Sequence, residues 1–259
     1  MRLAQTFRRM TRTHWLGFYA LILVSWVVLF LSAVPSDIRS AGLAFGADFW
    51  AGFCVVTPDA GGYLRVVVMW ALMSAAMMAP TAFPAFAVFD DLNRAGRGGF
   101  AAIVAGYLAV WLGFSLIAAA TQFALVKAEL LNPFGDSRSA ILSGVLLLIA
   151  GLYQFSPIKE GCLSKCRLPM AFFMQHWQPG AGGAWRMGLR LGADCLGCCW
   201  ALMALAFVGG VMNLAFMGLA TLIMVLEKLP DIGRPLTKPL GVVLILTAGV
   251  VGARAMLMT

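Results

Sequence analysis

Long apolar stretches alternate with short polar connections along the chain, and the apolar stretches have the length of membrane crossings. A transmembrane helix needs about 20 predominantly apolar residues at a rise of about 1.5 Å per residue. Such stretches predict an all-α, polytopic membrane helix bundle of about six transmembrane helices, forming a single integral membrane domain over residues 1–259. The predicted spans cover residues of about 16–34, 65–89, 100–126, 139–155, 195–226 and 236–257.

The fifth apolar stretch is the least regular of the six. As one helix, residues 194–227 would extend about 50 Å, which is too long for one crossing and too short for two comfortable ones. Gly209 and Gly210 indicate a break within it. Two interpretations stay open: one long helix, or one crossing followed by an interfacial segment.

The composition indicates that lipid is the solvent of this chain. Hydrophobic residues make up 61% of the sequence and charged residues 12%, with a mean hydropathy of +0.89. Soluble domains have about 25% charged and about 45–50% apolar residues. The net charge of +8 is spread over short clusters between the apolar stretches, a pattern of membrane topology rather than of nucleic-acid binding. A Gly-Lys-Ser/Thr phosphate loop is absent from the sequence, which argues against an ATP-driven pump.

Lysine and arginine are concentrated in alternate connections. Four arginines precede the first span, and the connection over residues 156–194 carries five basic residues against two acidic ones. Because basic loops stay in the cytoplasm, we predict a multi-pass protein of the bacterial inner (cytoplasmic) membrane. Both termini and the 156–194 connection are then cytoplasmic. The first apolar stretch is about as long as a full span, so we expect an uncleaved helix rather than a signal peptide.

Five of the six cysteines form two clusters, one at each end of the 156–194 connection. The clusters are Cys162 with Cys166, and Cys195 with Cys198 and Cys199. Spacings of three and four residues place each cluster on one face of a helix. Thiolates are soft ligands that favour Cu(I), Zn and iron–sulfur clusters. The clusters therefore predict metal coordination or redox chemistry, whereas the isolated Cys54 is expected to be structural.

Methionines are the second group of soft ligands. Three of the four on the second span stand at four-residue steps along one face, and three more follow the second cysteine cluster. These residues are Met69, Met73, Met77 and Met78, and then Met203, Met212 and Met217. Thioethers bind Cu(I), but methionine also fills gaps in apolar cores, so both interpretations stay open. Pro80 and Pro84 follow this face and predict a kink, with neighbouring groups satisfying the freed carbonyls.

Glu227 and Lys228, at the end of the fifth stretch, are the most conspicuous charged residues. They either extend to the membrane surface or face the bundle interior as functional groups. Tyr153 and Gln154 are placed for hydrogen bonds between helices. Lys159 is expected to anchor the fourth span on the cytoplasmic side.

The two histidines, His14 and His176, lie outside the predicted hydrocarbon core. Their positions give no support to a haem held by paired histidines inside the membrane. His176 is expected to be an interfacial residue, although it would supply a fourth metal donor if the 156–194 connection folds back.

Three motifs together resemble a known family. They are MWALMSAAMMAP at residues 69–80, YQFSPIK at residues 153–159 with the first cysteine cluster, and CLGCCWALM at residues 195–203 with the later Glu227-Lys228 pair. Over residues of about 65–230 the chain resembles the bacterial family of predicted metal-binding integral membrane proteins, domain of unknown function 2182. The resemblance implies a membrane protein that binds metal, and it leaves the metal open.

The sequence favours a metal-binding membrane protein that handles copper, by Cu(I) transport or membrane delivery through cysteine and methionine ligands. The expected cofactor is a metal ion, with copper favoured over zinc. The expected partners are the lipid bilayer and the metal ion, with a metallochaperone or a larger membrane complex as protein partners and no nucleic acid.

Two alternatives belong to other classes. The first is a membrane thiol–disulfide oxidoreductase using Cys162 with Cys166 and Cys195 with Cys198. The second is a non-catalytic subunit of a membrane complex with a structural Zn site. The pattern favours a role without enzymatic activity.

Overall fold

The computed structural model describes residues 13–33, 59–93, 99–132 and 135–257. Within these ranges the chain is helical, without a β-strand, and one isolated bridge joins Leu131 and Ser137. The all-α prediction is confirmed; Cys54 lies outside the described residues. The helices are α1 Thr13–Ala33, α2 Ala60–Leu92, α3 Gly99–Lys127, α4 Ala140–Tyr153, α5 Pro157–Arg167, α6 Pro169–His176, α7 Gly180–Ala204, α8 Ala206–Gly209, α9 Leu214–Lys228 and α10 Pro230–Leu257.

Five helical segments of the described chain are long and apolar enough to cross a membrane. They are α1, α2, α3, α7 together with α8, and α10. Helices α4 and α5 are bent by 64° at a short break, and they add a sixth crossing if the pair forms one broken span. The fold is therefore the predicted multi-pass helix bundle, with five or six crossings.

Helices α2 and α7 form the centre of the bundle. The most apolar window of α2 is 72% buried and that of α7 with α8 is 61% buried, against 17–33% for α1, α3 and α10. The outer helices present rows of leucine, isoleucine and valine, as expected where lipid replaces water. Buried functional side chains are therefore expected on α2, on α7 and on the short helices between them.

Helices α3 and α7 approach each other at backbone distance because of two glycines. A Cβ atom on Gly106 would clash with the carbonyl of Trp185, and one on Gly188 would clash with the carbonyl of Ile103. Small residues allow such close helix crossings in membranes. This crossing brings Tyr107 of α3 against the cysteine-bearing part of α7.

Helix α2 continues through Pro80 and Pro84. A proline inside a helix leaves the carbonyl four residues earlier without its usual partner. For Pro80 that carbonyl belongs to Ala76, and the indole of Trp26 in α1 donates a hydrogen bond to it at 3.0 Å. The predicted satisfaction of a freed carbonyl by a neighbouring helix is confirmed here.

The structure differs from the predicted boundaries in the region of α7. The helix begins at Gly180, inside the stretch assigned to a polar connection. Its charged residues Arg186 and Arg190 are four apart and exposed, whereas Met187 and Leu191 are buried, so this part of α7 is amphipathic. The break predicted at Gly209 and Gly210 is present: α8 ends there, and Gly210 has a φ of 92°, a conformation that favours glycine.

Candidate metal centre

Three thiols form the core of the candidate centre on the buried face of α7. Cys195, Cys198 and Cys199 are each 1% exposed, and their sulfur atoms all lie within 4.8 Å of one another. The sulfurs of Cys198 and Cys199 are 3.2 Å apart. With metal–thiolate bonds of about 2.3 Å, two sulfurs on one ion are separated by at most about 4.6 Å. The three thiols, hereafter the thiol triplet, therefore lie within a few tenths of an ångström of the spacing at which they would share one small ion.

Helix α5 brings the first cysteine cluster to the thiol triplet. Cys166 lines the same small cavity as Cys195. The sulfur of Cys162 lies 2.6 Å from the position that a Cβ atom on Gly197 would take, so this sulfur packs directly against the glycine. Both α5 cysteines are half-buried, and all five cysteines are free thiols. The two clusters, separated by about thirty residues of sequence, therefore meet at one helix interface.

Cys195 contacts two polar groups besides the other thiols. The Lys228 ammonium lies 3.0 Å from its sulfur, and the Tyr107 hydroxyl lies 3.0 Å from the same atom. Lys228 also donates to Thr81 Oγ1 at 2.6 Å. A cavity of about 10 Å³ lies among these residues, close to the smallest volume that holds one water molecule. Polar groups and a small space therefore converge on one sulfur.

The backbone carbonyl of Met78 fixes the two hydroxyl groups beside Cys195. Thr81 donates to this carbonyl at 2.8 Å, and Tyr107 donates to it at 2.9 Å. The Met78 carbonyl of α2 thereby positions the two hydroxyl groups that face Cys195.

A buried ion pair lies next to this sulfur site. Lys159 Nζ contacts both carboxylate oxygens of Glu227 at 3.0 and 2.9 Å, and both side chains are 1% exposed. Arg167 donates to the backbone carbonyl of Glu227 at 2.9 Å and to Thr237 at 3.2 Å, and it pairs with the exposed Glu160 at 2.9 Å. Glu227 thus faces the interior, and Lys159 is an interior ion-pair partner instead of the expected surface anchor.

The predicted methionines are buried, apart from the half-buried Met212. Met77, Met73 and Met69 precede Thr81 at steps of four residues, a rise of about 6 Å each, so they lead away from the thiol centre along α2. Met203 follows Cys199 by four residues, which places it on the same face of α7. The buried methionines of the predicted set are Met69, Met73, Met77, Met78, Met203 and Met217, and the half-buried one is Met212.

The remaining candidates divide into one that reaches the centre and two that do not. Tyr153 donates to the carbonyl of Gly197 at 2.6 Å, which ties α4 to the cysteine turn of α7. Gln154 is buried at the bend after α4, and its amide has no partner among the described residues. His176 stacks on Phe172 at 5.0 Å, with Nδ1 3.0 Å from the carbonyl of that residue, and it does not belong to the group of ligand atoms at the triplet.

Tyr107 and Thr81 are site residues that the sequence analysis missed. Each is one of several hydroxyl-bearing residues in its apolar span, and nothing in its local pattern identifies a contact with Cys195. A polar side chain inside a span is itself a signal of an interior position. Applied to α2 and α3, that rule selects both residues.

The donor set of the triplet fits a soft, low-coordinate metal ion. Within the described chain it consists of three thiols, without a carboxylate or an imidazole in the group. Sulfur-only donors select Cu(I) and Zn among common metals, and a structural Zn site normally has four protein ligands. Together with the fold, this defines the class of the protein: a multi-pass helical membrane protein with a buried thiol cluster that fits a soft metal ion.

The comparison with known families identifies the class more closely. Residues 67–251, more than half of the chain, match the PpoB2 family, which is described as a copper chaperone. The chain therefore belongs to this copper chaperone family. The resemblance to a metal-binding membrane family is supported in one respect: both point to copper-related metal binding. No curated protein and no solved structure matches the chain.

Proposed function

We propose that the protein is a membrane-embedded Cu(I) chaperone, which accepts the ion at its cysteines, holds it at the thiol triplet and passes it on. The observation that carries this proposal is the triplet itself, with three buried sulfurs within 4.8 Å of one another. Family membership supports copper as the metal. In this proposal copper is the cargo of the protein.

The burial of the five cysteines supports an order of uptake. Cys162 and Cys166 are half-buried, whereas the triplet is 1% exposed, and Cys166 lines the same small cavity as Cys195. An ion that binds first at the accessible pair can exchange thiol for thiol into the triplet without crossing a region free of ligands. The exposed Lys165, Arg186 and Arg190 lie on the same helices, so the proposed uptake side is the cytoplasmic face of a bacterial inner membrane.

The methionines supply a route for release. Met203 shares the face of Cys199, and Met77, Met73 and Met69 lead along α2 from Thr81. Thioethers are soft but neutral ligands, so they hold Cu(I) less tightly than thiolates do. Movement of an ion requires sites from which it can leave. We therefore assign capture to the cysteines and transfer to the methionines.

Two features weigh against the alternative functions. Thiol–disulfide exchange requires that a thiolate reach the sulfur it attacks, and the triplet is buried. A structural Zn site needs a fourth ligand, and the described His, Cys, Asp and Glu residues provide three at this place. Membrane-impermeant thiol labelling tests the first alternative, and metal analysis tests the second.

The deciding experiment is copper loading of the purified, reduced protein. We expect wild type to retain copper through a desalting column and Cys198→Ser/Cys199→Ser to retain little, because one remaining triplet thiol cannot hold the ion alone. Cys162→Ser is the matched control, since this sulfur packs on Gly197 outside the triplet. It should reach the wild-type copper content and load more slowly. Zinc in place of copper, or no copper above background in wild type, would refute the proposal.

A further inference from the structure

Lys228 is a buried cation whose partners in the described structure include no carboxylate. Its side chain is 8% exposed, and its ammonium contacts Thr81 Oγ1 at 2.6 Å and Cys195 Sγ at 3.0 Å. An ammonium removed from water needs a compensating negative charge. At this position the compensating charge has to come from sulfur.

The other charges near the thiols are already paired. Lys159 neutralises Glu227, Lys165 pairs with Asp194 at 2.8 Å, and Arg167 pairs with Glu160. Each of these cations faces a carboxylate, and Lys228 faces a thiol instead. Among the buried cations of the described chain, Lys228 is therefore the one that faces the sulfur site.

We propose that Lys228 is a positioning residue that supplies the counter-charge of the copper–thiolate complex. Binding of one Cu(I) to two thiols of the triplet, with the third thiol still protonated, releases two protons to solvent and leaves a complex with one negative charge, which one ammonium balances. A divalent ion on the same two sulfurs would form a neutral complex and leave the ammonium unbalanced. This inference rests on the proposed function and adds a basis for preferring a monovalent ion.

The surroundings of Lys228 hold its ammonium at the required place. Thr81 accepts its hydrogen bond and is itself fixed on the carbonyl of Met78 at 2.8 Å. Lys228 is also joined by a peptide bond to Glu227, which Lys159 and Arg167 hold in place, so the backbone of Lys228 is fixed as well. Groups around a metal ligand commonly set its charge and orientation.

The test compares Lys228→Met, which keeps the length of the side chain without its charge, with Lys228→Arg, which keeps the charge. Cu(I) affinity is measured anaerobically by competition with a chromogenic Cu(I) chelator, and Zn(II) affinity is measured on the same samples. We expect Lys228→Met to bind Cu(I) on the order of 100-fold more weakly, from the loss of one charge a few ångströms away. Lys228→Arg should stay within about tenfold of wild type.

The control is Lys165→Met, which removes a cation from the same region. Lys165 is 52% exposed and paired with Asp194, so its removal should change Cu(I) affinity by no more than about threefold. The preference for Cu(I) over Zn(II) should fall in Lys228→Met and persist in Lys228→Arg. If Lys228→Met is not recovered folded, Thr81→Val replaces it, and an intermediate loss of Cu(I) affinity is expected.

Three results would overturn the inference. The first is a wild-type Cu(I) affinity in Lys228→Met or in its substitute Thr81→Val. The second is an equal loss of Cu(I) affinity in Lys228→Met and Lys228→Arg. The third is an unchanged preference for Cu(I) over Zn(II) in Lys228→Met. If wild type binds copper and Cys198→Ser/Cys199→Ser does not, an unaffected Lys228→Met refutes this inference alone. If wild type binds no copper, the proposed function and this inference both fail.

Discussion

The buried Lys159–Glu227 pair gives a quantitative prediction about stability. The two side chains are 1% exposed, and the ammonium contacts both carboxylate oxygens at 3.0 and 2.9 Å. Lys159→Met would leave the Glu227 carboxylate in a dry interior without its partner. Breaking one side of such a pair costs about 3–5 kcal/mol. At about 2–4 °C per kcal/mol for a chain of this size, the melting temperature should fall by about 6–20 °C.

The double variant Lys159→Met/Glu227→Met isolates the physical cause. Replacing both ions by apolar side chains removes the uncompensated charge, and such replacements are often neutral or stabilising. The double variant should therefore recover most of the stability lost in Lys159→Met. Arg167 contacts the backbone carbonyl of Glu227, so that contact is retained in the double variant.

The assay is thermal unfolding of detergent-solubilised protein, followed by circular dichroism at the helix band. Lys165→Met serves as control, because its pair with Asp194 involves a lysine that is 52% exposed and surface pairs contribute about 0–1 kcal/mol. A double variant as unstable as Lys159→Met would refute the argument from an unpaired charge. So would a melting temperature in Lys159→Met equal to that of the Lys165→Met control.

Two further predictions concern helix packing. Gly188→Ala should push α3 away from α7, because its Cβ would clash with the carbonyl of Ile103. We expect the free energy of unfolding, followed by thermal unfolding, to fall by about 1–3 kcal/mol, and copper binding to weaken. Gly218→Ala is the control, since a Cβ atom on Gly218 would meet no neighbouring group within 4 Å, and it should be neutral or slightly stabilising. Equal changes in stability for Gly188→Ala and Gly218→Ala would contradict the packing argument. Trp26→Phe should cost about 1–3 kcal/mol in the same assay by leaving the Ala76 carbonyl without its indole donor, and an unchanged melting temperature would contradict that role.

The helical class and the cysteine clusters could be predicted from sequence because both depend on local patterns. Apolar stretches of spanning length identify α1, α2, α3 and α10, and spacings of three and four residues place Cys195, Cys198 and Cys199 on one face. The start of α7 was missed because its charges suggested a connection, although Arg186 and Arg190 recur with helical period.

The contacts around Cys195 could not be predicted, because they join residues that are far apart in sequence. Lys228 reaches Thr81 across 147 positions and Cys195 across 33, and Tyr107 reaches Cys195 across 88. These contacts depend on how α2, α3, α7 and α9 pack, and no local period encodes that packing. Lys159 illustrates the same limit: a basic residue after a span resembles a topology anchor, and its partner Glu227 is 68 positions away.

The hydrogen bond from Trp26 to Ala76 also has a consequence for the biogenesis of the protein. Until α1 lies beside α2, the Ala76 carbonyl opposite Pro80 has neither its helical donor nor water in the hydrocarbon region. Lateral release of α2 alone into lipid would expose that carbonyl, whereas release together with α1 supplies the indole donor at 3.0 Å. The first two spans should therefore leave the insertion machinery as a preassembled pair, on which the cysteine-bearing helices are built afterwards.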